Sequence, residues 1–147
     1  MTLPEQFQKE NTENIFIYHY VEEMIANYGR YIKEILDETE ITRAEIPFLI
    51  RVRFSEKTTQ KELVELFKVS EGYTAKLLRK FEDLGYITRH ENPDNRRQKI
   101  VELTDKGVEK TDELIKIIND WEIKVTSNMT KEEVKLLKSL LFKVVVS

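Results

Sequence analysis

One short interval constrains this chain more than any other. Lys68 and Val69 alone separate two stretches of helical periodicity within residues 59–104, TQKELVELFKVSEGYTAKLLRKFEDLGYITRHENPDNRRQKIVELT. A connection that brief makes the second helix turn back across the first. Thr59 and Glu62, three apart, have the form of a capping box, in which a hydroxyl and a carboxylate satisfy N–H groups that a helix start leaves unpaired. Leu63, Leu66 and Phe67 follow at helical spacing. Ser70 restarts the chain as an N-cap, and Ala75, Leu77, Leu78, Phe81 and Leu84 recur every three or four residues. The opposite face carries Glu71, Gly72, Tyr73, Lys76, Arg79, Lys80 and Asp83, so that face is left for a partner. Gly85 stops the helix because it tolerates positive φ.

Beyond Gly85, residues 86–90 and 99–103 show β-branched side chains in rough alternation, with the turn formers Asn92, Pro93, Asp94 and Asn95 between them. This predicts a hairpin with Arg96, Arg97 and Lys99 just past its bend. Residues 55–58 are placed to add a short strand beside it. The pattern predicts a mainly α fold with a small β-hairpin wing: a winged helix-turn-helix flanked by long dimerisation helices.

Three stretches resemble the MarR-type (multiple antibiotic resistance) transcriptional regulators. They are Thr59-Gln60-Lys61-Glu62-Leu63, Leu84-Gly85-Tyr86-Ile87-Thr88-Arg89, and Asn92-Pro93-Asp94-Asn95-Arg96-Arg97 followed by Val101-Glu102-Leu103-Thr104-Asp105-Lys106-Gly107. The last is the most specific, because a turn of the form N-P-x-N-R-R followed by L-T-x-K-G is shared by few other groups. The resemblance implies a dimeric regulator that binds an inverted-repeat double-stranded DNA operator, represses from it, and is released by a small aromatic or phenolic effector. It departs from the family's pattern at three positions. Asn95 stands where the family has Asp, so it cannot pair ionically with the arginines that follow. Lys68 and Val64 stand where the family has a glycine in the turn and an alanine in the helix, and larger side chains there alter the angle between the two helices.

Charge has to be read locally. The net charge of −3 conceals −6 over residues 1–40, with three basic against nine acidic side chains, +3 over residues 41–103 and zero over residues 104–147. Phosphate responds to the field of the docking face rather than the total. A surplus of +3 is modest, so affinity should fall markedly with salt. The chain has no cysteine, which excludes a disulfide or a thiol switch. The acidic first dozen residues and the lack of a long apolar run predict no signal peptide and no membrane span, and hence a cytoplasmic protein. The two histidines, His19 and His90, form no ligand spacing, and no metal or cofactor is expected.

The flanks read as helices. Residues 1–10 are expected to be loose, and residues 11–37 to form one long helix. Its apolar set, from Ile15 through Tyr18, Val21, Ile25 and Tyr28 to Leu36, covers more than one stripe. Either the helix lies at the centre of a larger monomeric core or a second subunit shares it. Residues 41–53 form the next helix, with Thr42 and Glu45 as a capping box and Pro47 just inside its start. Thr104 caps a helix running to residue 125, whose buried set is expected to be Val108, Leu114, Ile115, Ile117, Ile118, Trp121 and Val125. Thr130 and Glu133 box the last helix, which ends in Val144-Val145-Val146. An exposed end of that composition suits a homodimer interface. The chain is accordingly divided into residues 1–40, an arm and dimerisation helix; 41–103, the DNA-binding lobe; and 104–147, the C-terminal dimerisation helices.

In helix-turn-helix proteins the second helix enters the major groove. Gly72, Tyr73 and Lys76 are therefore assigned to base edges, and Gln60, Lys61, Ser70, Arg79 and Lys80 to phosphates. Arg97, matching the second arginine of the family's wing, is assigned to the minor groove, with Arg96 and Lys99 on the backbone and Arg89 bracing the wing's base. Each has a plain alternative: exposed cations are usually just solvated, and Tyr73 can fold back onto Phe67. Tyr20, Met24 and Tyr28 are the candidate effector lining, although aromatics at helical spacing are more often core. Two other classes fit these residues less well. A winged-helix protein-interaction module without DNA binding conflicts with the basic wing tip. An enzyme lacks a nucleophile beside a base, a phosphate-cradling loop and paired carboxylates.

Overall fold

The structure, a computed structural model, describes residues 3–55 and 57–147. Six α-helices are described: α1 Ile17–Ile35, α2 Ile46–Phe54, α3 Gln60–Phe67, α4 Glu71–Asp83, α5 Asp105–Val125 and α6 Lys131–Val145. The strands β1 Thr58–Thr59, β2 Ile87–Asn92 and β3 Asn95–Leu103 make an antiparallel sheet in the order β1-β3-β2. The mainly α winged helix-turn-helix expected from the sequence is the fold observed.

The core lies between the lobe's helices and the sheet. Ile46, Phe48, Leu49 and Val52 of α2, Leu63 of α3 and Leu77, Leu78 and Phe81 of α4 meet Ile87 of β2, Val101 of β3 and Leu114 of α5. Gly85 takes φ 81, as a helix stop should. On α5, Gly107 and Thr111 are buried, whereas the predicted Val108 and Val125 are exposed. Thr111 tolerates burial because its hydroxyl donates back to helix carbonyls at Gly107 and Val108, 2.9 Å each.

Several expected boundaries shift. The first helix begins at Ile17 rather than residue 11, preceded by a 3-10 turn, Lys9–Asn14. Short polar side chains there bond locally and compete with helix: Asn14 Nδ2 donates to Asn11 Oδ1 (3.1 Å) and Asn11 Nδ2 to the Gln6 carbonyl (3.0 Å). Residues 3–10 do make a contact with α1, where Phe7 packs edge-on against Tyr20 at 5.6 Å; residues 1 and 2 lie outside the described residues. The capping box of Thr42 and Glu45 opens a 3-10 turn, Arg43–Glu45, and α2 starts after it with Pro47 in its first turn, where a missing N–H costs nothing.

The strand expected at residues 55–58 is Thr58–Thr59, paired to Val101 and Ile100; the part of that prediction at Glu56 lies outside the described residues. At α3 the box is only half formed. Thr59 Oγ accepts from the Glu62 N–H at 3.1 Å, but the Glu62 carboxylate takes the Thr58 hydroxyl at 3.2 Å instead.

Candidate nucleic-acid interface

The turn between α3 and α4 is made at Lys68, which adopts φ 52, ψ 42, the left-handed conformation that glycine favours. Ser70 then caps α4 by accepting from the Tyr73 N–H at 3.0 Å, which aims the first turn of α4 outward. Gly72, Lys76 and Arg79 all lie along that side, and all three are exposed. A Cβ built on Gly72 would meet nothing within 4 Å, so the fold places no demand for glycine there. Tyr73 is 43% exposed and rests edge-on near Phe48, 6.0 Å between ring centres. Phe67 lies tilted against Phe48, 4.1 Å between ring centres, and the exposed Tyr73 is not core.

The wing gains its shape from an irregularity that the sequence pattern did not reveal. β2 and β3 run in register from Ile87↔Leu103 to Glu91↔Lys99 and then jump to Asn92↔Asn95, which leaves residues 96–98 opposite no residue of β2. Extra residues on one strand bend it and re-aim its side chains. Arg96 and Arg97 are consequently exposed at the tip. Asn95 also has a definite role. Its amide oxygen accepts the Arg97 N–H at 3.1 Å, and Asn92 accepts the Asp94 N–H at 3.0 Å. The arginine's backbone is thus steered by a hydrogen bond that needs an oxygen but no charge.

Between the wing and the two helices opens a groove of about 440 Å³. It brings together the predicted Gln60, Lys61, Arg97 and Lys99. Val64, Glu71, Asn95 and Gln98 also line it and were not predicted as site residues. Three cations face one carboxylate, so the groove is locally positive in a chain of net charge −3. Glu71 was legible as a residue of the free helix face, whereas nothing in the local pattern marks Gln98.

Arg89 braces the wing, as expected. Its Nε lies 2.8 Å and its Nη2 2.5 Å from Glu82 Oε1, and its Nη1 donates to Gln60 Oε1 at 3.1 Å. The predicted phosphate ligand Gln60 therefore has its oxygen turned inward. Lys80 departs further from its expected place. Its ammonium lies 2.7 Å from Glu45 Oε1, so it is held against the start of α2 and not presented with Lys76 and Arg79. At the wing's base the Tyr86 hydroxyl donates to Glu40, and burial, that bond and the charges of Glu40 and Glu113 push the hydroxyl well above its ordinary pKa.

The three candidate effector residues lie four apart along α1. The Tyr20 hydroxyl donates to the Thr12 carbonyl at 2.9 Å, Met24 is 43% exposed, and Tyr28 sits edge-on to Trp121 at 5.1 Å. Among the described residues, no group of three or more His, Cys, Asp or Glu is placed to hold a metal, and no helix is long and apolar enough to cross a membrane.

A tight helix-turn-helix, a bulged basic hairpin and a positive groove between them define a winged helix-turn-helix transcriptional regulator. A model of the MarR family matches residues 41–99. The chain is 28% identical over 131 residues to the transcriptional regulator BilQ of Clostridium symbiosum, covering 89% of this chain and 90% of that protein. It is 29% identical over 116 residues to the multiple antibiotic resistance protein MarR of Escherichia coli, covering 78% and 81%. A crystal structure of MarR superposes with a TM-score of 0.77 at 27% identity, over 89% of each chain. A cysteine-to-serine variant of Escherichia coli MarR complexed with operator DNA superposes with a TM-score of 0.70 at 27% identity, over 90% of this chain and 95% of that one. The family model, these relatives and these structures together support a MarR-type winged-helix regulator.

Proposed function

We propose that the chain is a cytoplasmic homodimer that binds an inverted-repeat DNA operator and represses from it, and that a small aromatic or phenolic acid releases it. The observation that carries the DNA-binding part is the groove holding Gln60, Lys61, Arg97 and Lys99 between the wing and the first turn of α4. Gly72, Tyr73 and Lys76 enter the major groove, Arg97 enters the minor groove, and Lys61, Ser70, Arg79, Arg96 and Lys99 meet phosphates. The operator-bound MarR variant of similar fold supports this docking.

Two copies are favoured by the surfaces at the chain's ends. Phe16, Ile17, Tyr18 and Ile25 on and beside α1, and Phe142, Val145 and Val146 on and beside α6, are each at least 61% exposed. α6 buries none of its residues within one chain. Such apolar surface marks an interface, and a two-fold pair matches an inverted repeat whose half-sites lie roughly 34 Å apart. Residues 1–40 and 104–147 thus serve dimerisation, and residues 41–103 form the DNA-binding lobe. Release by an effector is carried over from the family, with Tyr20, Met24 and Tyr28 of α1 as its candidate lining.

Fluorescence anisotropy with duplex selected by the protein from a random pool tests this reading. Tight binding at low salt should weaken steeply as salt rises, Lys76→Ala should weaken binding and relax the selected sequence, and Arg97→Ala should weaken it most on duplexes with a narrow A·T minor groove. Failure to select any sequence, or unchanged binding by both variants, would leave a protein-interaction module as the better account.

A further inference from the structure

The segment between α1 and α2 ties the first helix to the recognition helix through a continuous series of contacts. It begins on α1, where a Cβ on Gly29 would lie only 2.5 Å from Arg43 Nη1, so the guanidinium is seated on bare helix backbone. The Arg43 N–H donates to Glu38 Oε1 at 2.9 Å, and Ile41 is fully buried, which together anchor the segment. The next contact is the capping box, in which Glu45 Oε1 accepts the Thr42 N–H at 2.8 Å. That same oxygen accepts from the Lys80 ammonium at 2.7 Å, with the Glu45 side chain only 13% exposed. Lys80 belongs to the last turn of α4, about 13 Å along the axis from the first turn, where base edges are read.

We infer that Lys80 serves operator binding as a positioning residue, acting through Glu45 to fix the angle of α4 against the α1–α2 segment and hence the separation of the two recognition helices. The inference rests on the operator-binding reading above. A phosphate ligand should offer an unneutralised charge at the surface. Lys80 instead spends its charge on a largely buried carboxylate that also caps the helix start. A tilt of α4 pivoted at this pair would move the reading turn sideways. In a dimer, the displacement would appear as an altered half-site separation.

The test uses the full-length protein, its selected duplex and a series of duplexes whose half-sites are moved apart or together by one base pair. Lys80→Met and Glu45→Gln are compared with Arg97→Ala. The side-chain amide introduced by Glu45→Gln keeps an oxygen for the Thr42 N–H, so the cap survives while the ion pair is lost. Each of the two variants is expected to weaken binding at the native spacing on the order of tenfold, to flatten the spacing preference, and to leave the salt slope unchanged. The double variant is expected to be no worse than either single one, because the two residues act as a unit. A salt slope reduced by about one for Lys80→Met, with the spacing preference intact, would make Lys80 a phosphate ligand and overturn the inference. Unchanged affinity in Glu45→Gln, or additive losses in the double variant, would overturn it as well. Failure of the wild-type protein to select a duplex would count against the operator reading itself, which separates the two failures.

Discussion

Lys68 should be the easiest place to stabilise this protein. It is the one residue other than glycine with positive φ among the described residues, at φ 52, ψ 42. An L-residue in that conformation costs roughly 1–2 kcal/mol because Cβ crowds the following carbonyl. Lys68→Gly removes that crowding but frees the unfolded chain, which returns about 0.4–1 kcal/mol of the gain. The net stabilisation should be about 0.5–1 kcal/mol, a rise of roughly 1–4 °C in Tm for a domain of this size. Lys68→Ala is the decisive control, since it keeps Cβ and discards the charged chain; it should leave Tm nearly unchanged. Lys68→Val should lower Tm, because a β-branched side chain fits this conformation worst. Thermal melts must be run at one protein concentration, since association raises apparent stability. Equal gains from glycine and alanine would refute the backbone argument and place the cost in the lysine's charge instead.

Three further outcomes follow from other positions. A Cβ at Gly107 would lie 2.0 Å from the Tyr86 carbonyl oxygen, which the Thr104 N–H already holds at 3.0 Å, so Gly107→Ala should cost about 3 kcal/mol and about 6–12 °C in a thermal melt; a stable variant would show that α5 can slide on the wing's base. Gly72→Ala has open space around it and should raise stability by about 0.5–1 kcal/mol while weakening operator binding, with retained affinity in anisotropy counting against close approach of α4 to the bases. Burial tends to raise the Glu45 carboxyl, but hydrogen bonds from Lys80 and Thr42 outweigh it and hold the group below its ordinary 4.5. The stabilisation from that depressed value is complete above about pH 4.5 and is lost as pH falls through the folded-state value. Urea melts from pH 6 to pH 3 should therefore show a shallower acid loss for Glu45→Gln than for the native protein, and parallel curves would sink the assignment.

Much of the lobe could be read in advance because its elements are specified by neighbours in sequence. Ser70, Thr104 and Thr130 cap their helices through N–H groups three residues on, at Tyr73, Gly107 and Glu133, and such spacings are visible in the chain. Periodicity alone overextends α1 at its start because it continues through Ile15 and Phe16, while the Asn11 and Asn14 side chains that break the helix act through local hydrogen bonds. The bulge at residues 96–98 depends on the pairing of two strands, which periodicity within either strand does not encode. The place of Lys80 escapes the pattern for a related reason. Its partner Glu45 lies 35 residues earlier, and helix-face reasoning assigns every polar residue on an outer face to solvent or ligand alike.

The two mounts of the lobe divide its work. On one side α5 is fixed by Arg53, whose Nη1 reaches the Val108 carbonyl at 3.0 Å, Thr111 Oγ1 at 2.8 Å and Asp112 Oδ1 at 2.9 Å. Those contacts meet α2 near its C-terminal end, where a cation also complements the helix dipole. On the other side the α1–α2 segment holds α4 through Glu45 and the wing's base through Glu40. Removing Arg53 loosens a mount that carries no reading element directly. Arg53→Met should consequently lower Tm while leaving the half-site preference of whatever protein remains folded. Loss of Glu45's charge should do the reverse, with a small change in Tm and a flattened preference. Opposite responses of these two pairs, measured on the same duplex series, would place control of DNA geometry in the α1–α2 segment; like responses would mean that the lobe is held as one block and no single pair sets its angle.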